Sequence, residues 1–581
     1  MFNKYYQDEL TYLRQLGQEF AHAHPQIGHM LAETGTDPDV ERLLEGFAFL
    51  TGRIRQRLDS ELPELTHAFV GLLWPHYLRP IPAMSVVQFR PTATLQDVQT
   101  IPRGTDLDSV PVDGTRCRFQ TTSDVLLYPF SLDATNLDVP LSKPSTLTLG
   151  FTVSEKANLA KLNLGALRLY LHGEPAIAFG LYLWLCRHTR AVTYRVGDRQ
   201  VRLDRDALSA GGFSDSDALL PYPTDAFPGY RLLQEYFSLP EKFLFIDLHD
   251  LSPLARMDAG GRFDIIIEFD QRPPDTLRVA PGSVRIGCTP IVNLQSIRSS
   301  PIRVDFEKTE YRLRADSPNP DHYEVFSVDR VLGWLRGTVR EHEYLPFFTY
   351  QHTSAPGNEK REYYQLRLRP ATVGHGTETY LSFVTAGETG IMPSTETVAA
   401  DLTCSNRHLG EKLRPGDISV ATSQSPAFAA FENIARVTTS VSPPLEGRLL
   451  WRLIAHQSLN YLSLTNLESL RGLLGLYNFH ALVDRQAARA NELRLSGITA
   501  IKAHPDEILR HGSTYRGVSI ALDLNEDQFA GEGDMYLFAS VLNNFLNLYV
   551  TMNAFTRLRV KGTQQGGIYE WPPMLGQHAL L

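Results

Sequence analysis

The sequence predicts a multidomain α+β protein with an α-helical N-terminal region, β-rich middle domains and an α+β C-terminal region. The chain has 581 residues, which exceeds the roughly 250 to 300 residues at which a single hydrophobic core stops growing. Apolar residues recur at helical spacing near both ends. Between them, short alternating runs are broken by Pro, Gly and Asp, as in β-rich domains. We therefore predict regions 1–82, 83–445 and 446–581, the middle one holding two subdomains.

The first helix of the N-terminal region carries one apolar stripe with polar residues on its other face. The stripe consists of Phe2, Tyr6, Leu10, Leu13 and Phe20. Chain termini often fray unless they are tied down. An aromatic stripe at this terminus therefore leads us to the hypothesis that these five side chains anchor a partner.

Two more helices are predicted before residue 82. One starts at TDPDVERLL, where Thr36 or Asp37 can cap the helix and Pro38 suits its first turn. Its stripe has heptad-like steps, which require a helical neighbour. The members of this stripe are Val40, Leu43, Phe47, Leu50 and Ile54. The next helix, with Leu62, Leu65, Phe69 and Leu72, is expected to end at WPHYLRPIP because proline disfavours helix.

The middle region reads as strands. The runs SVVQFRP, TRCRFQTT, TLTLGFTV and FDIIIEF alternate with period two, and this texture extends to at least residue 370. Helices are expected at 174–188 and near 231–237. The apolar segment AIAFGLYLWLC, residues 176–186, is too short to cross about 30 Å of hydrocarbon at about 1.5 Å per helical residue. We interpret it as a buried element and predict no membrane insertion.

The strongest helical pattern lies in the C-terminal region, at MYLFASVLNNFLNLYVTMNAFTRL. Apolar residues step by four, three, four and three through Phe538, Leu542, Phe545, Tyr549 and Met552. This stripe is consistent with a helix that packs on the core of its own domain. It is equally consistent with a helix that docks a second chain, because both kinds of burial require the same pattern. Asp534 is predicted to cap this helix rather than to bind calcium.

Charge and cysteine content exclude several classes of protein. The formal net charge is −9 and the pI is about 6.1, so no overall basic field would draw the chain to nucleic acid. The four cysteines lie far apart without a CxxC pair, which favours reduced thiols in a cytosol. The N-terminal segment MFNKYYQDELTYLRQLGQEF lacks the apolar core of a secretory signal.

The search for catalytic and metal-binding motifs finds none. His456 and Ser458 are two residues apart and would face different sides of a helix, and neither GxSxG nor a phosphate-binding glycine loop occurs. The N-terminal histidines lack the one-turn spacing of metal ligands. The pairs HEYL (342–345) and HPDE (504–507) show no third ligand. We predict no catalytic residue, no cofactor, no metal site and no enzymatic activity.

One alternative function stays open at this point. The carboxylates of a glycosidase can be scattered along a chain and are then invisible in a single sequence. A β-rich carbohydrate-active hydrolase or binding protein is therefore the alternative to a structural assembly protein.

Several long segments of the chain are distinctive. The front segments are MFNKYYQDELTYLRQLGQEFAHAHP, DPDVERLLEGFAFLTGRIRQRLDSELPELT and LLWPHYLRPIPAMSVVQF. The middle ones are IPRGTDLDS, CRFQTTSDVLLYP, GYRLLQEYFSLPEKFLFIDL, GCTPIVNLQ and YRLRADSPNPDHYEVFSVD. The last are PPLEGRLLWRLIAHQSLNYLSL, FAGEGDMYLFASVLNNFLNLYVTMNAF and EWPPMLG. Together these segments resemble the TssF family (also called ImpG or VasA), baseplate subunits of the bacterial type VI secretion system. CSNRHL (404–409) stands where a family-like CTNR is expected.

This resemblance implies a structural role in a contractile injection machine. Family members pair two copies with one TssG to form a wedge core, six wedges surround the VgrG hub, and TssK and TssE attach to the wedge. The expected partners are thus TssG, TssK, TssE, the VgrG hub and a second copy of the chain. The resemblance also implies a cytoplasmic location, docked at the inner face of the inner membrane, and N-terminal helices that share a bundle with TssG.

Two sets of residues are the predicted interface anchors. The N-terminal set is Phe2, Tyr6, Leu10, Leu13 and Phe20, and the C-terminal set is Phe538, Leu542, Phe545 and Tyr549.

Overall fold

The structure is a computed structural model. It describes residues 6–7, 10–11, 13, 38–222, 227–257, 261–305, 307–335, 341–349, 362–372, 375–385, 395–445, 466–510, 512–550, 552, 554–564 and 566–576. The chain divides into two compact units, one formed by residues 1–78 and 444–455 and the other by residues 79–443 and 456–581.

The first unit is mainly helical where it is described. Tyr6, Gln7, Leu10, Thr11 and Leu13 have helical backbone. Helix α1 spans Pro38–Leu73, which corresponds to a length of about 54 Å. The two helices predicted for this stretch are therefore one continuous helix.

Prolines affect helix α1 differently in its interior and at its C-terminal end. The helix continues past Pro63, whose missing N–H removes only one hydrogen bond of the ladder. It ends just before Trp74 and the 3₁₀ turn Pro75–Leu78, as the prolines of WPHYLRPIP predict.

The second unit contains the remaining helices and all the strands described. The helices are α2 (Pro175–Arg187), α3 (Pro228–Ser238), α4 (Ser252–Arg256), α5 (Leu467–Leu476), α6 (Arg485–Ser496) and α7 (Glu532–Leu548). The first fifteen strands are β1 (Met84–Pro91), β2 (Gln99–Ile101), β3 (Asp106–Val112), β4 (Thr115–Thr121), β5 (Val125–Leu127), β6 (Phe130–Asp138), β7 (Thr146–Val153), β8 (Leu167–Leu171), β9 (Thr189–Val196), β10 (Arg199–Asp204), β11 (Leu208–Ala210), β12 (Phe245–Leu248), β13 (Arg262–Phe269), β14 (Val284–Ile286) and β15 (Cys288–Val292). The others are β16 (Gln295–Arg298), β17 (Ile302–Val304), β18 (Tyr311–Arg312), β19 (Glu324–Leu335), β20 (Glu341–Pro346), β21 (Glu362–Pro370), β22 (Thr377–Thr385), β23 (Glu396–Ser405), β24 (Ala429–Asn433), β25 (Ile498–Arg510), β26 (Ser513–Leu524), β27 (Ala554–Gly562), β28 (Ile568–Glu570) and β29 (Met574–Leu575).

The first sheet has the antiparallel order β24-β1-β15-β4-β3. Its strands alternate as the sequence predicts: along β4, every second residue from Thr115 to Thr121 is buried. Val87, Phe89, Phe119 and Ile291 belong to one hydrophobic core on this sheet. Period-two alternation thus places one face of each strand in the interior.

Two further sheets follow, with the orders β10-β9-β13-β7-β6 and β11-β12-β8-β14. Phe130, Phe151 and Phe263 form an aromatic cluster with ring centroids 4.8 to 5.6 Å apart on the first of them. The predicted helices at 174–188 and 231–237 are confirmed as α2 and α3. Among the described residues, no helix combines the length and the apolar character needed to cross a membrane.

A larger sheet of eight strands has the order β16-β23-β19-β20-β21-β22-β18, and β17 pairs with β23. All of its pairs are antiparallel except β20 with β21. Val331, Tyr344, Tyr364 and Leu402 lie in its hydrophobic core. The parallel pair places the starts of β20 and β21 near the same end of the sheet.

The last sheet joins the long hairpin β25–β26 to β27, β28 and β29. Strands β26 and β27 are parallel, and α7 connects them. Helix α7 also packs on α2 and α3 of the β-rich middle. A side chain at Gly533 would collide with the backbone of Phe179 in α2, so this glycine allows the two helices to approach closely. Residues 456–581 therefore share one compact unit with residues 79–443.

Candidate interaction surface

Among the described residues, the largest set of exposed apolar side chains on one element lies on α1. Leu43, Phe47 and Leu50 are 74%, 53% and 59% exposed. They stand at positions i, i+4 and i+7, so they share one side of the helix. Leu72 lies about eight turns after Leu43 on the same side and is 56% exposed, with half-exposed Phe69 beside it. We call these five residues the α1 stripe.

Three residues on the opposite side of α1 are buried. Ala48 and Val70 have no exposed surface, and Gly52 is buried as well. At about 100° per residue, these three lie roughly opposite Leu43 and Leu50. The helix therefore buries small residues and a valine on this side, while large apolar residues on the other side are exposed.

The N-terminal anchors are described only in part. Leu10 is buried, whereas Tyr6 and Leu13 are half-buried. Thr11 donates a hydrogen bond from Oγ1 to the carbonyl of Gln7 at 2.8 Å, as in a regular helix. Phe2 and Phe20 lie outside the described residues.

The C-terminal anchors are occupied by their own chain. Phe538, Leu542 and Phe545 are 1%, 0% and 0% exposed. Phe538 contacts Tyr236 of α3 with ring centroids 5.8 Å apart. The interpretation of α7 as a helix on its own domain's core accounts for this burial. We therefore do not retain these three residues as anchors for a second chain.

Tyr549 is also held within the chain. It follows the last residue of α7, and its hydroxyl donates a hydrogen bond to the Tyr230 hydroxyl at 2.7 Å. Its ring lies 4.4 Å from that of Phe227. Burial raises the pKa of Tyr549 above its ordinary value. Met552, which the periodicity placed on the same stripe, lies beyond the helix and is exposed.

Asp534 has a different role from the predicted cap. The N-cap position of α7 is Gly531, and no side chain caps the helix there. The Asp534 carboxylate instead accepts hydrogen bonds from the guanidinium of Arg494 in α6, at 3.0 and 3.1 Å. It also accepts one from the Ala530 N–H at 3.1 Å. This buried pair ties α6 to α7.

The four cysteines are free thiols. Burial raises the pKa of the Cys117 thiol to about 12. Such thiols are poor nucleophiles, because only the thiolate reacts readily.

Sequence reasoning missed one cluster of metal-ligating groups. Within the described part of the chain, a single group of three such side chains converges, namely His342, Glu362 and Glu396. His342 belongs to the HEYL segment, for which the sequence showed no third ligand. His504 of the HPDE segment joins no such group among the described residues, and His22, His24 and His29 lie outside the described residues.

The chain is similar over nearly its whole length to one family of known proteins. The family model described as "Type VI secretion system, TssF" matches residues 1–578. The type VI secretion system component TssF1 of Pseudomonas aeruginosa is 32% identical over 620 aligned positions, which cover 98% of this chain and 97% of the relative.

Solved structures agree with this relationship. A chain of the TssK-TssF-TssG baseplate subcomplex, determined by cryo-electron microscopy, is 32% identical with a TM-score of 0.75, and the match covers 93% of this chain and 99% of that chain. A chain of the type VI secretion system baseplate complex is 27% identical with a TM-score of 0.66, and the match covers all of both chains. The chain therefore belongs to the TssF family of the type VI secretion system.

Proposed function

We propose that this protein is a structural subunit of the type VI secretion baseplate, and that it assembles with TssG and TssK subunits. The observation that carries the proposal is the end-to-end structural match to a chain within a TssK-TssF-TssG baseplate subcomplex. The exposed α1 stripe supports it, because clusters of exposed apolar side chains commonly mark an interaction site.

The α1 stripe is the surface we assign to the TssG subunit. Its residues lie on one side of the helix in two groups, 43–50 and 69–72, which are separated by about 28 Å along the helix axis. A long helix packed alongside α1 would reach both groups. Half-buried Tyr6 and Leu13 of the N-terminal helical segment extend the same hypothesis. A stable interface would bury on the order of 1,200 Å² or more in total.

The wider assembly is part of the same proposal. The family resemblance supports two copies of the chain with one TssG, contacts with TssE and with the VgrG hub, and support of sheath and tube assembly. It also supports a cytoplasmic location, docked at the inner face of the inner membrane.

The hydrolase alternative is not retained. The family model, the curated relative and both solved structures are secretion-system components. The described residues with raised pKa values, such as Cys117 and Tyr549, are explained by burial in packed cores.

Co-expression with the TssG and TssK subunits of the same secretion system tests the assembly. We expect the three chains to co-elute in size-exclusion chromatography, and light scattering of the peak gives the number of copies of each. A chain that elutes alone as a monodisperse species in the presence of both subunits would contradict the proposal. In cells, deletion of the gene should stop secretion by this system, and the wild-type chain should restore it.

A further inference from the structure

Three strands of the eight-stranded sheet bring His342, Glu362 and Glu396 together. His342 on β20 pairs with Gly333 on β19, and Gly333 pairs on its other side with Val398 on β23. Glu396 is the first residue of β23, and Glu362 is the first residue of β21, the parallel neighbour of β20. Register alone therefore places one imidazole and two carboxylates at one end of the sheet.

The ligand atoms of this group lie close together. Nε2 of His342 lies 2.7 Å from Oε2 of Glu362 and 3.3 Å from Oε2 of Glu396. The three ligand atoms all lie within 4.8 Å of one another. Nε2 is shielded from solvent, yet among the described residues it makes no hydrogen bond of regular geometry. A nitrogen that faces two carboxylate oxygens without a well-directed hydrogen bond is suited to a cation placed between them.

Gly333 makes room for this arrangement. A Cβ at this position would lie 2.6 Å from Cε1 and 2.7 Å from Nε2 of His342, and 2.9 Å from Oε2 of Glu396. Any other residue would push the imidazole and the carboxylate away. The imidazole ring of His342 thus packs directly against the backbone of Gly333.

The surrounding residues orient the ligands. The Tyr344 hydroxyl donates a hydrogen bond to Oε1 of Glu396, which leaves Oε2 directed at His342. Burial raises the pKa of Glu396, because a carboxylate in this position has lost its solvent. The Glu396 side chain is only 4% exposed, whereas those of His342 and Glu362 are 28% and 31% exposed. His342 and Glu362 are therefore the two members of the group that solvent reaches.

The ligand types favour zinc. Zinc binds imidazole nitrogen and carboxylate oxygen at about 2.0 to 2.2 Å in tetrahedral geometry, which places neighbouring ligand atoms about 3.4 Å apart. The separation of 3.3 Å between His342 and Glu396 fits this value, and the separation of 2.7 Å to Glu362 requires a small shift of a half-exposed side chain. Magnesium and calcium prefer sets of oxygen ligands and higher coordination numbers.

We propose that His342, Glu362 and Glu396 bind one Zn²⁺ ion, with a water molecule as the fourth ligand on the exposed side. The ion would join the ends of β20, β21 and β23, which lie apart in the sequence. Its role is structural, since the site stabilises the end of a sheet and the proposal includes no reaction.

Zinc titration of the purified full chain tests the site. The protein is prepared without a polyhistidine tag, stripped with a chelator, and titrated with Zn²⁺ against a chromophoric competitor. We expect one tight ion per chain, a raised melting temperature, and no displacement by millimolar Mg²⁺. Cobalt in place of zinc should give the intense visible bands of a tetrahedral site. Absence of a stoichiometric tight ion, or stronger binding of Mg²⁺, would overturn the proposal.

Variants separate this site from the other histidines of the chain. His342→Gln and Glu362→Gln change half-exposed side chains, so the fold should survive, and each should weaken zinc binding at least ten-fold. Gly333→Ala should do the same by displacing the ring. His188→Gln is the matched control, because His188 faces a single carboxylate, Asp270, at 3.0 Å. Equal binding by all four variants would place the zinc elsewhere and refute the assignment.

Discussion

Replacing Leu43, Phe47 and Leu50 together by alanine should weaken binding to the TssG subunit while leaving the fold intact. These side chains are 74%, 53% and 59% exposed in the chain alone. Full burial of such a side chain stabilises by about 1.5 to 3 kcal/mol. The surface still available for burial is therefore worth about 3 to 6 kcal/mol over the three residues, and its loss corresponds to a roughly 10²- to 10⁴-fold weaker Kd.

The stability of the chain should change far less than its affinity. Exposed side chains contribute little to folding, and substitutions at such positions usually stay within about 0.5 kcal/mol each. The assay is biolayer interferometry between the immobilised TssG subunit and the purified chain, with circular dichroism and a melting curve for each variant.

A matched control separates this surface from general hydrophobicity. Leu141 is 92% exposed on the second compact unit, far along the sequence from α1. Leu141→Ala should leave Kd within about two-fold, which corresponds to less than about 0.5 kcal/mol. If the triple variant also binds within about three-fold of the wild type, less than about 0.7 kcal/mol is lost. The α1 stripe would then not be the docking surface.

Further predictions concern the second unit. Asp534→Ala leaves Arg494 buried without its carboxylate, so hydrogen exchange should show α7 destabilised by about 3 to 5 kcal/mol. The control Glu492→Gln removes an exposed ion pair on α6 and should cost less than about 1 kcal/mol. Equal destabilisation by the two variants would contradict a buried ion pair between α6 and α7. Burial lowers the pKa of His480 from 6.5 to about 4, so the folded state favours the neutral ring. The contribution of this burial to the free energy of unfolding is therefore complete above pH 6.5 and falls as the pH is lowered. Urea unfolding should show about 2 kcal/mol lost between pH 7 and pH 5, and an equally steep loss in His480→Leu would refute this origin. Because burial raises the pKa of Cys117 to about 12, iodoacetamide should not label it before unfolding, and rapid labelling in the folded chain would contradict its burial.

Local patterns were sufficient to predict much of the fold. The segment AIAFGLYLWLC is buried as α2, because its length suits a core helix and not a membrane span. The alternating run TRCRFQTT gives β4, with its period-two face in the core. These predictions succeed because the deciding information lies within about ten neighbouring residues.

The pairing of distant side chains could not be predicted in the same way. His342, Glu362 and Glu396 are brought together by the register of β19, β20, β21 and β23, and no spacing rule connects them in the sequence. Asp534 illustrates the same point, because its position near a helix start suggested a cap. The charge that decides its role, Arg494, comes from another helix. A residue's local setting therefore fixes its element but not its partner.

The apolar stripe of α7 is buried within the chain, whereas that of α1 is exposed. The distribution of charged residues in the sequence distinguishes the two helices. Helix α7 carries charged residues only in its first turn, at Glu532 and Asp534, and even Asn543 and Asn547 on its polar face are buried. A helix without a charged face can be covered on all sides, as α2 and α3 cover this one. Helix α1 carries charged residues from Asp39 to Glu64. It buries small residues such as Ala48, while large apolar side chains such as Leu43 stay at the surface. Apolar periodicity shows that a stripe will be covered, and the charge on the remaining faces indicates whether the same chain or another one covers it.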